Sequence, residues 1–217
     1  MWAVVVAGGS GSRFGRPKQF ERLAGRPVAE WSVTAARKAT DGVVLVVPAL
    51  EIERGRAMGA HVVVAGGESR SASVRRGLAS VPASAKVVVV HDAARPLASP
   101  ALFEAVVAPL LDELADVDAV VCALPVADTL KRVDRRGTTV TGTVDRSLLV
   151  AVQTPQAFRA PVLRRAHARG GEATDDAALV EAFGGTVRVV PGEPHNVKLT
   201  LPSDLALLEH LAGGARW

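Results

Sequence analysis

Two cations, Arg13 and Lys18, flank a loop of glycine and serine that follows directly on an apolar strand: Val4 to Phe20 reads VVVAGGSGSRFGRPKQF. That is the chemistry of a phosphate site. Gly8, Gly9 and Gly11 carry no Cβ, so the backbone can turn through positive φ and bring N–H groups to an anion. Arg13 and Lys18 add full charges within reach of a polyphosphate, and Pro17 stiffens the approach to Lys18. Two better-known glycine motifs fail. Phe14 stands where the dinucleotide fingerprint wants its third glycine, with Gly15 one residue late, and Lys18 lies between Pro17 and Gln19 rather than before Ser or Thr as in an ATPase P-loop. A second chemical element is Asp92 in HDAARP, at the exit of the apolar run Lys86 to Val90. Open α/β sheets bind ligands at the carboxyl ends of their strands, and Mg²⁺ takes one or two carboxylates plus phosphate oxygens. Asp92 is therefore the metal candidate, with capping of a helix or turn as the simpler alternative. A structural hydrogen-bonding role is expected of His91. A third element is GGESRSAS, which repeats the order of strand, glycine turn and helix start and offers Gly67 and Ser73 to a base or ribose.

The elements that must hold these residues follow from periodicity. Apolar runs at Val4–Val6, Val43–Val47, His61–Ala65, Lys86–Val90 and Val117–Leu124 read as buried strands, alternating with helical patterns from Pro27 to Lys38, Glu51 to Met58, around ASVRRGLASV, and from Ser99-Pro100 to about Leu114. That alternation predicts an α/β domain with a parallel sheet. Pro125 to Val152 changes character: alternating β-branched residues on either side of a DRRG turn predict a β-hairpin standing away from the sheet, over about 126–150, and a projecting arm of this kind is a candidate dimer contact. Beyond it lie a helix over Pro161–Ala168, a helix capped by Thr174-Asp175-Asp176, a strand over Thr186–Val190, and a last helix from Pro202-Ser203-Asp204 through Leu211. The cap is sufficient explanation for the two acids.

The 217 residues suit one domain with a substantial core, and 48% hydrophobic content excludes disorder. No apolar run is long enough to cross a bilayer, and MWAVVVAGG lacks a basic leader, so a soluble cytoplasmic protein is expected. The lone Cys122, in an apolar strand, reads as a small buried hydrophobe. A net charge of +4 raises nucleic acid as a partner, yet the arginines are scattered and aromatics amount to only 4%, so an enzyme of anionic substrates accounts for the excess better.

The strand followed by AGGSGSRFGRPKQ resembles the signature loop of nucleotidyltransferases that join a nucleoside triphosphate to a phosphorylated small molecule. The ordered series AGGSGSRF, PKQ, GGESRSASV, HDAARP, DTLK, TVDR, QTPQ, TDD and NVKLT, which spans nearly the whole chain, resembles more narrowly the cytidylyltransferases of the non-mevalonate isoprenoid pathway. Those enzymes make CDP-methylerythritol and pyrophosphate from CTP and 2-C-methyl-D-erythritol 4-phosphate. The resemblance implies a Rossmann-like, mostly parallel twisted sheet flanked by helices, Mg²⁺ as cofactor, and a homodimer. It implies that main-chain groups of Ala7, Gly8 and Gly9 hold the nucleotide, with Gly67 and Ser73 near the cytosine. Arg13 and Lys18 would bind the triphosphate and Asp92 the metal. Thr129, Arg146, Thr154, Thr174 and Lys198 would place the acceptor, with Arg146 coming from the neighbouring subunit's arm and gripping the acceptor phosphate together with Lys198. Gly8 stands where the family often has alanine, Glu68 where aspartate is common, and the spacer between Arg13 and Pro17 is short. Cytidylyltransferases of ribitol 5-phosphate are the nearest rival, since they often carry the AGG form of the loop; a non-catalytic nucleotide sensor is a second. DTLK and TVDR favour the methylerythritol reading, and a sensor has no need of Arg13, Lys18 and Asp92.

Overall fold

Val4, Val5 and Val6 run, as unbroken β-branched character requires, through the middle of a sheet with a strand on either side. In a computed structural model, which describes residues 1–9, 14–112 and 116–214, strand β1 (Trp2–Val6) is followed by the short hairpin β2 (Arg22–Leu23) and β3 (Arg26–Pro27), then α1 (Val28–Ala39), β4 (Gly42–Val47), α2 (Ile52–Arg56), β5 (Val62–Ala65), α3 (Arg70–Ala79), β6 (Val87–Asp92) and α4 (Pro100–Leu111). The remainder comprises β7 (Ala119–Pro125), β8 (Lys131–Val133), β9 (Val140–Thr143), β10 (Val150–Arg159), α5 (Ala160–Ala168), α6 (Asp176–Glu181), β11 (Val187–Pro191) and α7 (Asp204–Ala212). α4 ends at Leu111, short of the expected Leu114, because the chain turns extended at Asp112; residues 113–115 lie outside the described residues.

Seven strands form one sheet in the order β11-β7-β10-β6-β1-β4-β5. β1 pairs in parallel with β4 and β6, β4 with β5, and β7 with β11; β10 runs antiparallel between β6 and β7. The sheet is thus mostly parallel and flanked by helices, the Rossmann-like α/β class that the strand and helix alternation predicted. Register settles what each face buries. Val4 lies opposite Val44 and Val90, and this face packs under Val74 and Leu78 of α3 and Leu163 of α5. The other face, with Val5, Leu45 and Val89, packs under Ala29, Val33 and Ala36 of α1 and Phe103 and Val106 of α4. Cys122 is fully buried in that second layer. Burial pushes its thiol up to about 12, which makes it the inert small hydrophobe expected.

Helix starts are written locally. Ser69 caps α3 by accepting the Ala72 N–H at 3.0 Å, and Ser99 caps α4 by accepting that of Leu102 at 3.1 Å, with Pro100 at the first position. A third apolar cluster, with Leu23, Trp31, Leu97, Leu199 and Leu208, ties α7 and the segment before it onto the body. It matters for the site because Leu199 anchors its neighbour Lys198.

Close approach of α3 to β1 depends on one glycine. A Cβ at Gly77 would lie 2.5 Å from Val4 Cγ1 and 3.0 Å from Val46 Cγ2, both on stiff, fully buried side chains. Alanine in a helix interior normally gains about 1 kcal/mol over glycine; here the clash reverses the sign. Gly77→Ala is expected to destabilise by about 1–3 kcal/mol, read as a lower urea midpoint, and a stabilised variant would refute this packing.

The hairpin after β7 is present but shorter than expected. β8 and β9 pair antiparallel with each other and with no other described strand, and Val133, Val140 and Leu148 stay exposed. β10 begins at Val150, the last residue of the expected arm, and Val150, Ala151 and Val152 pair with Pro125, Leu124 and Ala123. Register then shifts between Val152 and Gln156, so Gln153, Thr154 and Pro155 bulge across the end of β6. Among the described residues no helix is long and apolar enough to cross a membrane.

Candidate active site

At the carboxyl ends of β1, β5 and β6 the chain encloses a cleft of about 500 Å³. The sequence-predicted residues Ala7, Gly8, Gly9, Lys18, Gly67, Ser73, Asp92 and Lys198 all line it. Their placement is a consequence of β1 ending where the glycines begin. Ala7 keeps its N–H on Val46 O at 2.7 Å, so contact from its main chain would come through the carbonyl. Gly9 O accepts from Gln19 Nε2 at 3.2 Å, which ties the loop to the Pro-Lys-Gln segment, and Lys18 Nζ donates to Leu199 O at 2.6 Å. Ser73 Oγ accepts from Gly67 N–H at 3.1 Å, so its hydroxyl shapes the second glycine turn. A Cβ at Gly67 would lie 2.5 Å from Ala72 Cβ, and one at Gly8 would lie 3.1 Å from Ser73 Oγ. Alanine at position 8 would press on the hydroxyl that organises the facing loop. Arg13 and Gly11 lie outside the described residues.

A second cleft, of about 240 Å³, opens beside the first and is lined by Thr154 and Thr174 among others; the two share Arg70, Asp92 and Lys198 as a wall. Asp92 is the centre of that wall. Its Oδ2 accepts from Lys198 Nζ at 2.6 Å and its Oδ1 from Arg70 Nε at 3.2 Å. Burial alone would favour the neutral acid, but the Arg70 and Lys198 charges hold the carboxyl well below the usual range. Behind it, Thr154 Oγ1 accepts the Asp92 backbone N–H at 3.0 Å and donates to His91 Nδ1 at 3.1 Å, while His91 Nε2–H donates to Arg95 O at 3.2 Å. That relay gives His91 the structural role expected of it. Burial pushes its imidazole down to about 4, so it is neutral in the folded protein at neutral pH. Thr154 therefore has its hydroxyl proton and one lone pair engaged at the end of β6.

Two predicted residues stand apart from both clefts. Arg146 sits in a single 3-10 turn, Arg146–Leu148, and donates to Ala127 O, and Thr129 precedes β8; neither lines either of these two clefts. The acids after Thr174 also divide differently from a joint cap. Asp175 caps α6 through Ala178 N–H at 3.0 Å and accepts from Gln156 Nε2 at 2.8 Å. Asp176 is wholly buried against Arg70 Nη1 at 2.7 Å and His167 Nε2 at 2.9 Å.

Sequence reasoning passed over Arg70 and gave Asp176 only a capping role, whereas the two pair with each other. A usable signal was present: Arg70 falls in the first turn of α3, where the helix dipole opposes a cation, so it needs acidic partners from elsewhere. Burial opposes its charge, and Asp176 and then Asp92 outweigh that, holding the guanidinium firmly protonated. Taken together, the clefts hold a glycine-loop floor, two lysines and one ionised carboxylate at their junction. That arrangement can hold two phosphorylated molecules against each other and stabilise charge passing between them.

Comparison with known proteins agrees with this geometry. The family model described as IspD: 2-C-methyl-D-erythritol 4-phosphate cytidylyltransferase matches residues 1–213. A protein of that name from Rhodococcus opacus (strain B4) is 48% identical over 216 residues, covering 96% of this chain and 93% of the relative. Among solved structures, the Thermus thermophilus enzyme described by the same name is 36% identical with a TM-score of 0.81, covering 97% of this chain and 98% of that one. The 4-diphosphocytidyl-2C-methyl-D-erythritol synthase of Anaerococcus prevotii DSM 20548 is 27% identical with a TM-score of 0.84, covering 98% and 97%. With the fold, the junction of the two clefts and the motif series in agreement, the chain belongs to the 2-C-methyl-D-erythritol 4-phosphate cytidylyltransferase family.

Proposed function

We propose that this chain is a cytidylyltransferase that joins CTP to 2-C-methyl-D-erythritol 4-phosphate. The observation that carries the reading at residue level is the shared wall of Arg70, Asp92 and Lys198 between a larger cleft floored by glycine loops and a smaller one beside it. The larger takes the nucleotide, with Gly67 and Ser73 beside the base and Lys18, assisted by Arg13, on the triphosphate. The smaller takes the acceptor, with Thr174 and Lys198 in place and Thr154 fixing the floor. An acceptor phosphate oxygen attacks the α-phosphorus in line; the new P–O bond forms as the bond to the bridging oxygen breaks, and that oxygen leaves with pyrophosphate. The nucleophile is already an anion, so no proton has to be removed, and the neutral, committed His91 is not needed as a base. Lys18 and Lys198 act by position and charge.

Mg²⁺ fits this site as a cation carried by the nucleotide. Among the described residues no group of three or more His, Cys, Asp or Glu forms a protein cage, whereas the ionised Asp92, with two of its lone-pair positions taken, retains others on the cleft. Asp92 would hold the ion, which supplies charge neutralisation to the triphosphate.

Arg146 and Thr129 act in the partner subunit's cleft, delivered by the β8–β9 arm of a homodimer. Arg146→Ala is expected to raise the acceptor KM by about 10- to 100-fold, as loss of a charge-assisted phosphate contact does. The sharper reading comes from mixing. Assayed with acceptor well below the raised KM, Arg146→Ala subunits combined in equal amount with Lys18→Ala subunits should recover about a quarter of wild-type activity, because half the dimers then hold one intact site. No recovery would place Arg146 in its own subunit's chemistry.

Function itself is tested by pyrophosphate release from CTP, ATP, GTP and UTP, each offered with methylerythritol phosphate or ribitol 5-phosphate and Mg²⁺. Release confined to CTP with methylerythritol phosphate is expected. Preference for ribitol phosphate would overturn the acceptor, and no release with any pair would overturn catalysis.

A further inference from the structure

The buried side of the site holds more charge than gripping two anionic substrates requires. Arg70 is shared between two carboxylates, donating through Nε to Asp92 and through Nη1 to Asp176. Asp176 is fully buried and lines neither cleft; its other oxygen is held by the buried His167. The chain of contacts therefore runs from a rigid interior, through one planar guanidinium, to the carboxylate at the junction of the clefts. Lys198 is a poor fixture for that carboxylate, since its side chain is 39% exposed and an ammonium on a flexible stem sets no plane. A guanidinium gripped on two edges does set one.

We propose that Arg70, anchored from behind by Asp176, is a positioning residue that orients the Asp92 carboxylate between the nucleotide and acceptor clefts. The proposal rests on the two-cleft transferase reading above. This service accounts for the unfavourable place of Arg70 at the start of α3, and Asp176, which lines neither cleft, acts on the site through Arg70.

The test compares Arg70→Gln, Arg70→Lys, Asp176→Asn and the Arg70→Gln/Asp176→Asn double variant with wild type, reading kcat, both KM values and CTP affinity without acceptor. Arg70→Gln and Asp176→Asn should each lower kcat by about 10- to 100-fold, the usual effect of losing an outer partner, with CTP affinity within about threefold. Arg70→Lys should stay impaired, because charge without the planar fork does not restore orientation. The double variant should be no slower than Arg70→Gln alone, since two residues on one line of action are not additive. Wild-type kcat in Asp176→Asn, multiplied effects in the double variant, or a change in CTP affinity alone for Arg70→Gln would each overturn the proposal. If wild type itself releases no pyrophosphate, the function fails separately. A crystal structure of Asp176→Asn then decides the positioning role: a displaced Asp92 carboxylate supports it, and an unmoved one refutes it.

Discussion

Lys18→Ala should lower kcat by about two to three orders of magnitude, the effect of removing one preorganised charge from a transition state, while leaving the acceptor KM within about threefold. The ammonium is held before any ligand arrives: Nζ donates to Leu199 O at 2.6 Å, and Leu199 is fully buried in the cluster that docks α7. Gln19, the next residue, is tied to Gly9. The cation is therefore held in the cleft that Gly8 and Gly9 also line, where the proposed reaction would build negative charge on the α-phosphate and the departing pyrophosphate. An interaction that strengthens as the reaction proceeds appears in kcat; one equal in ground and transition states appears in KM. Steady-state kinetics with CTP varied separate the two. A large rise in CTP KM with kcat intact would demote Lys18 to a binding group, and small effects on both would remove it from the site.

Asp92→Asn is expected to lower kcat at least about a hundredfold, the scale of losing several kcal/mol of charge stabilisation if Asp92 holds the metal on the triphosphate as proposed. The amide keeps the shape but leaves Lys198 and one edge of Arg70 without their counter-charge. Stability should fall too, by about 1–3 kcal/mol: removing one partner of a buried pair costs more, but Arg70 keeps Asp176 and Lys198 is partly in water. The pH dependence has a definite sign. The folded state holds the Asp92 carboxyl below its ordinary 3.8, so the unfolded chain binds the proton more readily. Its contribution is complete above that value and disappears as pH falls through the lower folded value. Urea midpoints of wild type and Asp92→Asn should differ by a constant amount from pH 5 to 8 and converge below about pH 4. A gap that widens on acidification would show that the neutral form is the one the fold prefers.

Both predictions concern residues that the linear chain announces, and the reasons are local. A glycine loop behind a valine strand constrains backbone and side chain together, so its chemistry follows from residue type and spacing alone. The same holds for Asp92, which a buried strand must deliver at its carboxyl end, and for Ser69 and Ser99, which cap the helices they precede. Alternating strands and helices likewise made the mostly parallel sheet legible. The bulged, antiparallel β10 was not, because pairing partners distant in sequence leave no periodic trace. Nor does spacing reveal that one wall serves two clefts. Arg70 and Asp176 are separated by 106 positions and carry no motif in common. Burial joins them: a cation placed against its helix dipole and an acid placed in the core are each unfavourable alone. Only folding, by removing water from both, makes them partners and puts Asp92 at the end of their line.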